Sequence, residues 1–253
     1  MDRSTIIDSC AALIRAYSQG KLGDYKPAEA TAPCFKSDED RLAYYTLPMA
    51  LNYRRPSHQL WQAAKATYED DQVKHVYDLV KCASSSNDMS KLRKSLTAHK
   101  LALQPDRHTK NWSVISSTIT SEWGSIHNLL EAVEYDFLRL RSTVCKTHKK
   151  QFPYLSGPKL FNFWCYILVE YCGVVFTNSQ YIDIAIDSHN RRASVALGVI
   201  SKDEGESLST QQIADRWREI LSESQILPTD LNVPLWYWSR DGFSHQDGVT
   251  CIE

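Results

Sequence analysis

Lys159 and Asp187 stand 28 positions apart, and each adjoins an apolar stretch of the sequence. A fixed carboxylate can stabilise the positive charge that develops on a sugar when its bond to a base breaks, or can deprotonate an attacking water or amine. An amine that has lost its proton can attack the same sugar carbon and form a Schiff base, which leads to strand cleavage. The two residues therefore have the types needed to break an N-glycosidic bond.

Each of these residues also has an ordinary structural interpretation. Asp187 precedes a predicted helix, and an aspartate at that position commonly caps the first turn. Lys159 follows a predicted turn, where it could simply contact phosphate or solvent. A lysine nucleophile must lose its proton, so we expect the adjoining apolar helix to bury it. Asp183 is the nearest other carboxylate, but it lacks the His and Arg that follow Asp187 as His189 and Arg192.

A tight turn between two helices is predicted just before an apolar segment. The turn consists of Leu155, Ser156, Gly157, Pro158 and Lys159. Proline is favoured in the first turn of a helix, and glycine reaches backbone angles that other residues avoid. Backbone N–H groups at a helix start can hold a phosphate, so the turn is either an anion site or a plain connector. The helix that follows is apolar almost all round and must be central and buried.

The elements that position these residues are predicted to be almost entirely helical, which makes the fold class all-α. One helix is predicted from apolar residues in alternating steps of four and three, namely Ile126, Leu130, Val133, Phe137, Leu140 and Val144. Other helices are predicted over 4–17, 39–51, 57–67, 71–82, 88–99 and 107–122. Ser209 and Gln212 form a capping box before one more helix. The stretch 181–186 alternates like a strand, but it is too short and solitary to build a sheet.

Composition limits the classes of protein that the chain can belong to. Its 253 residues, 43% of them hydrophobic, can bury one core or two small helical lobes that share a cleft. Neither a membrane span nor a secretion signal is indicated, so we expect a cytoplasmic protein. The seven cysteines are odd in number and never form a C-x-x-C pair, which argues against disulfides, zinc and an iron–sulfur cluster.

The net charge of −1 restricts any contact with nucleic acid to a local patch, because neutralisation of phosphates normally supplies much of the affinity. Basic residues that could form such a patch cluster in three parts of the sequence. They are Arg54, Arg55, Lys146, Lys149, Lys150, Lys159, Arg191 and Arg192. Charge runs of this kind are also typical of plain solvated surfaces.

The turn ending at Lys159, the apolar helix and the pattern Asp187-x-His189-x-x-Arg192 together resemble the helix-hairpin-helix DNA glycosylase superfamily. The resemblance is dense over 152–199. It implies two helical lobes with an active-site cleft, a DNA-binding hairpin at 152–160, and Asp187 and Lys159 as catalytic residues. It also implies that His189, Arg192, Lys149 and Lys150 support the structure or contact DNA, with His189 as a structural hydrogen-bonding residue.

Two further segments resemble archaeal 8-oxoguanine glycosylase-like members of that superfamily. One is Asn232-Val233-Pro234-Leu235-Trp236 with Ser239-Arg240, and the weaker one is Leu51-Asn52-Tyr53-Arg54 with Trp61. The resemblance implies a base pocket made of Asn52, Tyr53, Arg54, Trp61, Asn232 and Trp236. Asn232 replaces an expected acid and Arg54 an expected glutamine, which indicates a different base. Packing in the core is the simpler explanation for an aromatic residue here, except for Trp236.

The resemblance also implies an organisation and a substrate. It predicts one glycosylase-like unit over 1–253, with lobe A at approximately 1–70 plus 200–253 and lobe B at approximately 71–199. The implied partner is double-stranded DNA with a damaged or modified base that is flipped out, including a hypermodified base of phage DNA. We expect a monomer without an iron–sulfur cluster or other cofactor, with a structural monovalent cation at the hairpin, associated with the nucleoid when bound to DNA.

Two other functions stay open. A small-molecule N-glycosidase would release a base from a nucleoside or nucleotide, as the queuosine-salvage relatives of the fold do, and the near-neutral charge favours it. A non-catalytic module would keep the hairpin for docking to DNA. The intact Asp187 and Lys159 argue against that module.

Overall fold

The computed structural model describes residues 1–23, 26–52, 55–84 and 89–251. Over these ranges the regular elements are all helical and no strand forms, which confirms the all-α prediction. The β-type pairing in the same ranges is an isolated parallel bridge between Asp136 and Thr177. None of the helices described is long and apolar enough to cross a membrane.

Thirteen α-helices lie in the described ranges. They are α1 (Arg3–Ser18), α2 (Asp38–Thr46), α3 (Ser57–Glu69), α4 (Leu79–Ser84), α5 (Met89–Ala98), α6 (Pro105–Glu122), α7 (Ile126–Ala132), α8 (Phe137–Ser142), α9 (Pro158–Cys172), α10 (Ser188–Ala196), α11 (Lys202–Ser207), α12 (Thr210–Leu221) and α13 (Asn232–Arg240). A π-helical turn, Thr143–Thr147, continues α8. Short 3-10 helices lie at Ala28–Ala30, Pro48–Leu51, Lys74–Tyr77, Ser179–Tyr181 and Pro228–Leu231.

The prediction of one helix from Ile126 to Val144 is wrong, although its apolar stripe is buried throughout. The helix is interrupted after α7, where Glu134 and Tyr135 adopt left-handed backbone angles with φ of 55° and 50°. Asp136 then caps α8 through its side chain. The stripe continues across the break because the short turn brings α8 back onto the same core, so apolar periodicity alone does not reveal the interruption.

Two other predicted helices are divided for local reasons. The segment 39–51 ends as an α-helix before Pro48, which has no N–H to donate, and continues as a 3-10 helix. The segment 71–82 is split at Asp78, whose extended backbone separates a 3-10 helix from α4. The Asp78 carboxylate accepts the N–H of Lys81 at 3.0 Å and so caps the new helix.

The chain forms two compact units. The split unit comprises Met1–Tyr25 with Asn178–Glu253, and the central unit comprises Lys26–Thr177. These boundaries differ from those expected for lobes A and B, because residues 26–70 belong to the central unit and residues 178–199 to the split unit. The physical reason is packing, since α2 contacts α7 and α9, whereas α10 contacts α13 and α11.

The central unit is built around aromatic residues and α9. Tyr44 and Tyr45 meet edge to face with ring centroids 5.1 Å apart, and both contact Trp61. Trp164 of α9 is fully buried and donates its indole N–H to the Thr46 hydroxyl at 2.9 Å. The burial of α9 confirms that the apolar helix after the predicted turn is central.

The split unit packs α1, α10, α12 and α13 around a second apolar core that includes Trp217 and Trp238. The predicted capping box of Ser209 and Gln212 is present at the start of α12. Residues 182–186 are buried and form no strand, as expected from their solitary position, and Ile182 and Asp187 at either end have extended backbone angles. This segment leads directly to Asp187.

Candidate functional site

Asp187 is the N-cap of α10. Its Oδ1 accepts the backbone N–H groups of His189 and Asn190, each at 2.9 Å. Its Oδ2 accepts no hydrogen bond from the residues that the structure describes, and the side chain is half-buried. The helix start therefore fixes the orientation of the carboxylate through one oxygen and leaves the other open.

Two asparagines hold the segment that leads to Asp187. The backbone N–H of Ala185 donates to Asn232 Oδ1 at 2.8 Å, and its carbonyl accepts from Asn190 Nδ2 at 3.1 Å. Asn232 is 4% exposed, and its Nδ2 has no partner among the described residues. The side-chain oxygen of Asn232, a residue expected in the base pocket, is thus used to position the backbone two residues before Asp187.

His189 packs against Trp236, with ring centroids 5.0 Å apart. The Nδ1 of His189 is buried and has no hydrogen-bond partner within the described ranges. The His189 ring therefore packs on Trp236 while its Nδ1 makes no hydrogen bond within the described ranges. The hydrogen bond that His189 does make to Asp187 comes from its backbone N–H. Trp236 is half-buried, and the guanidinium of Arg240 lies 5.0 Å from the centre of its ring.

The two arginines of α10 have different environments. Arg191 donates through one guanidinium nitrogen to the carbonyls of Gly205 and Leu208, each at 2.9 Å, and so ties α10 to the end of α11. Arg192 is exposed, and its guanidinium lies 5.4 Å from the centre of the Phe243 ring. Only Arg192 of this pair presents its charge to solvent.

Asp183, the other carboxylate near this site, is committed to a buried ion pair. It is 3% exposed, and its Oδ1 accepts two N–H groups of the Arg218 guanidinium, at 2.5 and 3.1 Å. Its Oδ2 accepts from Gln211 at 3.3 Å. A carboxylate paired in this way is not free to face a substrate.

The turn before α9 has a geometry different from the one expected of Gly157. The φ of Gly157 is −74°, an ordinary value, whereas Tyr154 has a φ of 62°. A side chain at Gly157 would place its Cβ 3.1 Å from the Tyr154 carbonyl oxygen, so a close backbone approach favours glycine here. Pro158 is the first residue of α9, as predicted.

The lysines around this turn are exposed. Lys146, Lys149, Lys150 and Lys159 point to solvent and form no ion pair with the described part of the chain. The burial expected for Lys159 is therefore not found, because α9 buries other faces. The turn itself is anchored by Leu155, which is fully buried, and by the Ser156 hydroxyl, which donates to the Lys149 carbonyl at 3.1 Å. Lys159 belongs to the central unit and Asp187 to the split unit, and their meeting at one site stays a prediction.

The base-pocket residues predicted in the central unit are only partly described. Trp61 is 1% exposed within the aromatic core, so its rings pack against protein, which agrees with the simpler explanation. Asn52 is half-buried after a 3-10 helix. Tyr53 and Arg54 lie outside the described residues. Arg55 donates to the carbonyls of Leu101 and Gln59, each at 2.9 Å, and burial lowers its pKa.

Sequence reasoning missed His108 of α6. Its side chain is 1% exposed, and neither ring nitrogen has a partner among the described residues. Burial, assisted by the positive charges of Arg55 and Arg107, lowers the pKa of His108 to about 4. The spacing of His108 from the buried Trp112 and from Ile115 repeats the four-then-three step of an apolar stripe, and this signal could have predicted its burial.

Comparisons with protein-family models, curated proteins and solved structures find no match to this chain. The similarity to helix-hairpin-helix glycosylases therefore depends on the motif residues themselves. What the structure adds is the local geometry of each of those residues.

Proposed function

We propose that this protein is a DNA glycosylase of the helix-hairpin-helix type that removes a damaged or modified base, with Asp187 as the catalytic carboxylate. The observation that carries the proposal is the arrangement at the start of α10. One oxygen of Asp187 is held by two backbone N–H groups, and the other is open. A carboxylate fixed before the reaction can stabilise the developing charge on the sugar without reorganising.

An aromatic surface next to this carboxylate supports the proposal. His189 donates its backbone N–H to Asp187 and packs its ring on Trp236, so Trp236 is connected to the carboxylate through one residue. An extruded base needs an aromatic or apolar face to replace the stacking that it loses in the duplex. We assign that role to Trp236, from whose ring an incoming base would displace the exposed Arg240.

The exposed lysines of the central unit supply the phosphate contacts in this proposal. Lys146, Lys149 and Lys150 precede the turn and Lys159 ends it, and all four are exposed. We assign to them the local basic patch that DNA binding needs in a chain of net charge −1. Lys159 is the candidate amine for a lyase step. Lys159 is exposed and lacks the burial expected of a lysine nucleophile, so we expect strand cleavage to be weak beside base release.

The proposal is tested with end-labelled duplexes that each carry one modified base, together with genomic DNA from phages with modified bases. The amount of released base is measured for the wild-type protein and for Asp187→Asn. Asparagine also caps helices well, so this change removes the charge and keeps the fold. We expect base release to fall by about 100-fold or more. Asp2, which caps α1 in the same unit, supplies the matched control Asp2→Asn with unchanged release.

Trapping of a Schiff base with borohydride tests the lyase step separately, and Lys159→Gln should abolish any adduct. Cleavage of free nucleosides without release from any DNA would replace the proposal with a small-molecule N-glycosidase. Binding of DNA without cleavage of either substrate would replace it with a docking module. Unchanged release in Asp187→Asn would also overturn it.

A further inference from the structure

A groove of about 480 Å³ lies on the split unit between α10, α11 and the C-terminal segment. Its lining includes Arg192, Val195, Lys202, Phe243 and Cys251, all from this one unit. The volume is in the range of sites that hold a small organic molecule, on the order of 300–1,000 Å³. Apart from Arg192, which the family resemblance assigns to structural support or DNA contact, the lining plays no part in the proposed function.

The groove carries an excess of positive charge. Arg192 and Lys202 are exposed, and neither forms an ion pair or donates a side-chain hydrogen bond within the described ranges. Arg191 also lines the groove, but its guanidinium is bonded to backbone carbonyls. Among the described residues of the lining, Glu206 is the one acidic residue. Lys202 and Arg192 form no ion pair among the described residues, although the Arg192 guanidinium lies 5.4 Å from the centre of the Phe243 ring. Two such cations against one described carboxylate make this a local anion-attracting site in a chain of net charge −1.

The lining of the groove also includes an aromatic residue whose backbone has an unusual conformation. Phe243 has a φ of 63°, a left-handed value that bulky side chains rarely adopt. It is kept there by its backbone N–H, which donates to the Trp238 carbonyl at 2.9 Å, and by an edge-to-face contact of 4.6 Å with the Trp238 ring.

We propose that this groove binds a nucleotide, with the phosphate between Arg192 and Lys202 and the planar base against Val195 and the Phe243 ring, from which the Arg192 guanidinium moves to meet the phosphate. Guanidinium and ammonium groups are the usual phosphate ligands of proteins. An aromatic ring beside a cation is the usual platform for a base. The nucleotide could be a free 5′-mononucleotide or part of a single strand, since both present the same chemistry. The site does not depend on the glycosylase proposal.

The first test is a titration of the whole protein with 5′-mononucleotides and, separately, with a short single-stranded oligonucleotide at fixed ionic strength. We expect Lys202→Gln to weaken binding roughly tenfold, because a charge-assisted hydrogen bond to phosphate is lost. Phe243→Leu should weaken the binding of mononucleotides by a similar factor, because the base loses its stacking partner. Lys21→Gln removes an exposed lysine of the same unit outside the groove and should leave binding unchanged.

A second readout measures the alkylation of cysteines in the wild-type protein, so it does not depend on whether Phe243→Leu folds. Cys251 lines the groove and is half-buried, whereas Cys34 is exposed and belongs to the central unit. A bound nucleotide should slow the alkylation of Cys251 several-fold and leave Cys34 unaffected. Protection by mononucleotides identifies a free nucleotide as the ligand, and protection by the oligonucleotide alone identifies a strand. No protection by either, or equal affinity in Lys202→Gln, would overturn the proposal.

Discussion

At the scale of single residues, the two oxygens of the Asp187 carboxylate have different roles, and substitutions can test these roles separately. Oδ1 caps α10 by accepting two backbone N–H groups, and a cap of this kind contributes about 1 kcal/mol to stability. The open Oδ2 contributes nothing to the cap. A change that keeps a capping oxygen but removes the charge should therefore affect base release far more than stability.

Asp187→Asn should lower the free energy of unfolding by no more than a few tenths of a kcal/mol, and Asp187→Ala by about 1 kcal/mol. Base release should be lost in both variants. Urea denaturation followed by tryptophan fluorescence measures the two stabilities. Equal, large losses of stability in both variants would show that the charge of Asp187 is needed for folding, and the activity of Asp187→Asn would then be uninformative.

His108 makes stability depend on pH. Its pKa is about 4 in the folded protein because burial disfavours the charged ring, and it is about 6.5 when unfolded. The unfolded state therefore binds more protons between these values, and stability falls as the pH is lowered from about 6.5 to about 4. We expect a loss on the order of 1–3 kcal/mol across that window.

Denaturant melts between pH 7 and pH 4 measure this loss, and His108→Gln should remove most of the slope. The exposed His58 provides the control, because His58→Gln should leave the slope unchanged. Identical slopes in wild type and His108→Gln would assign the acid sensitivity to other groups.

At the scale of elements, the interruption between α7 and α8 determines how glycine substitutions act. Glu134 holds a φ of 55°, where glycine has no steric cost, whereas Glu131 lies inside α7. A non-glycine residue in the left-handed region costs roughly 1–2 kcal/mol, and glycine inside a helix costs roughly 1 kcal/mol. The same substitution should therefore have different effects at positions three residues apart.

Glu134→Gly should leave the thermal midpoint unchanged or raise it slightly, since relief of the backbone offsets the greater freedom of the unfolded chain and the lost ion pair with Arg139. Glu131→Gly should lower the free energy of unfolding by about 0.5–1 kcal/mol. Calorimetry of the two variants makes the comparison. A loss at Glu134 as large as that at Glu131 would mean that the helix is continuous.

At the scale of the whole molecule, charge is distributed unevenly. The chain has 29 lysines and arginines against 30 aspartates and glutamates, yet four exposed lysines cluster between residues 146 and 159. Each lysine that contacts a phosphate releases a counterion on binding, so the salt dependence of affinity counts such contacts.

Lys149→Gln should weaken binding to duplex DNA of any sequence and reduce the slope of log affinity against log salt by about 1. Lys94→Gln, an exposed lysine on α5 of the same unit, should leave the slope as it is. Fluorescence anisotropy over a series of salt concentrations gives both values. A slope that Lys149→Gln does not change would remove the turn from the DNA-binding surface.

The sequence by itself determined the features that depend on neighbours along the chain. These include the all-α class, the buried helix α9 and the capping box at Ser209, because periodicity and caps act over one or two turns. The cap at Asp187 was open from the sequence only as the ordinary alternative to catalysis. Only the tertiary structure decided the exposure of Lys159, the use of Arg191 and Asn232 in binding backbone, the lack of a described hydrogen-bond partner for the His108 ring, and which residues form each unit. These outcomes depend on contacts between segments far apart in the chain, and a pattern among neighbouring residues carries no information about such contacts.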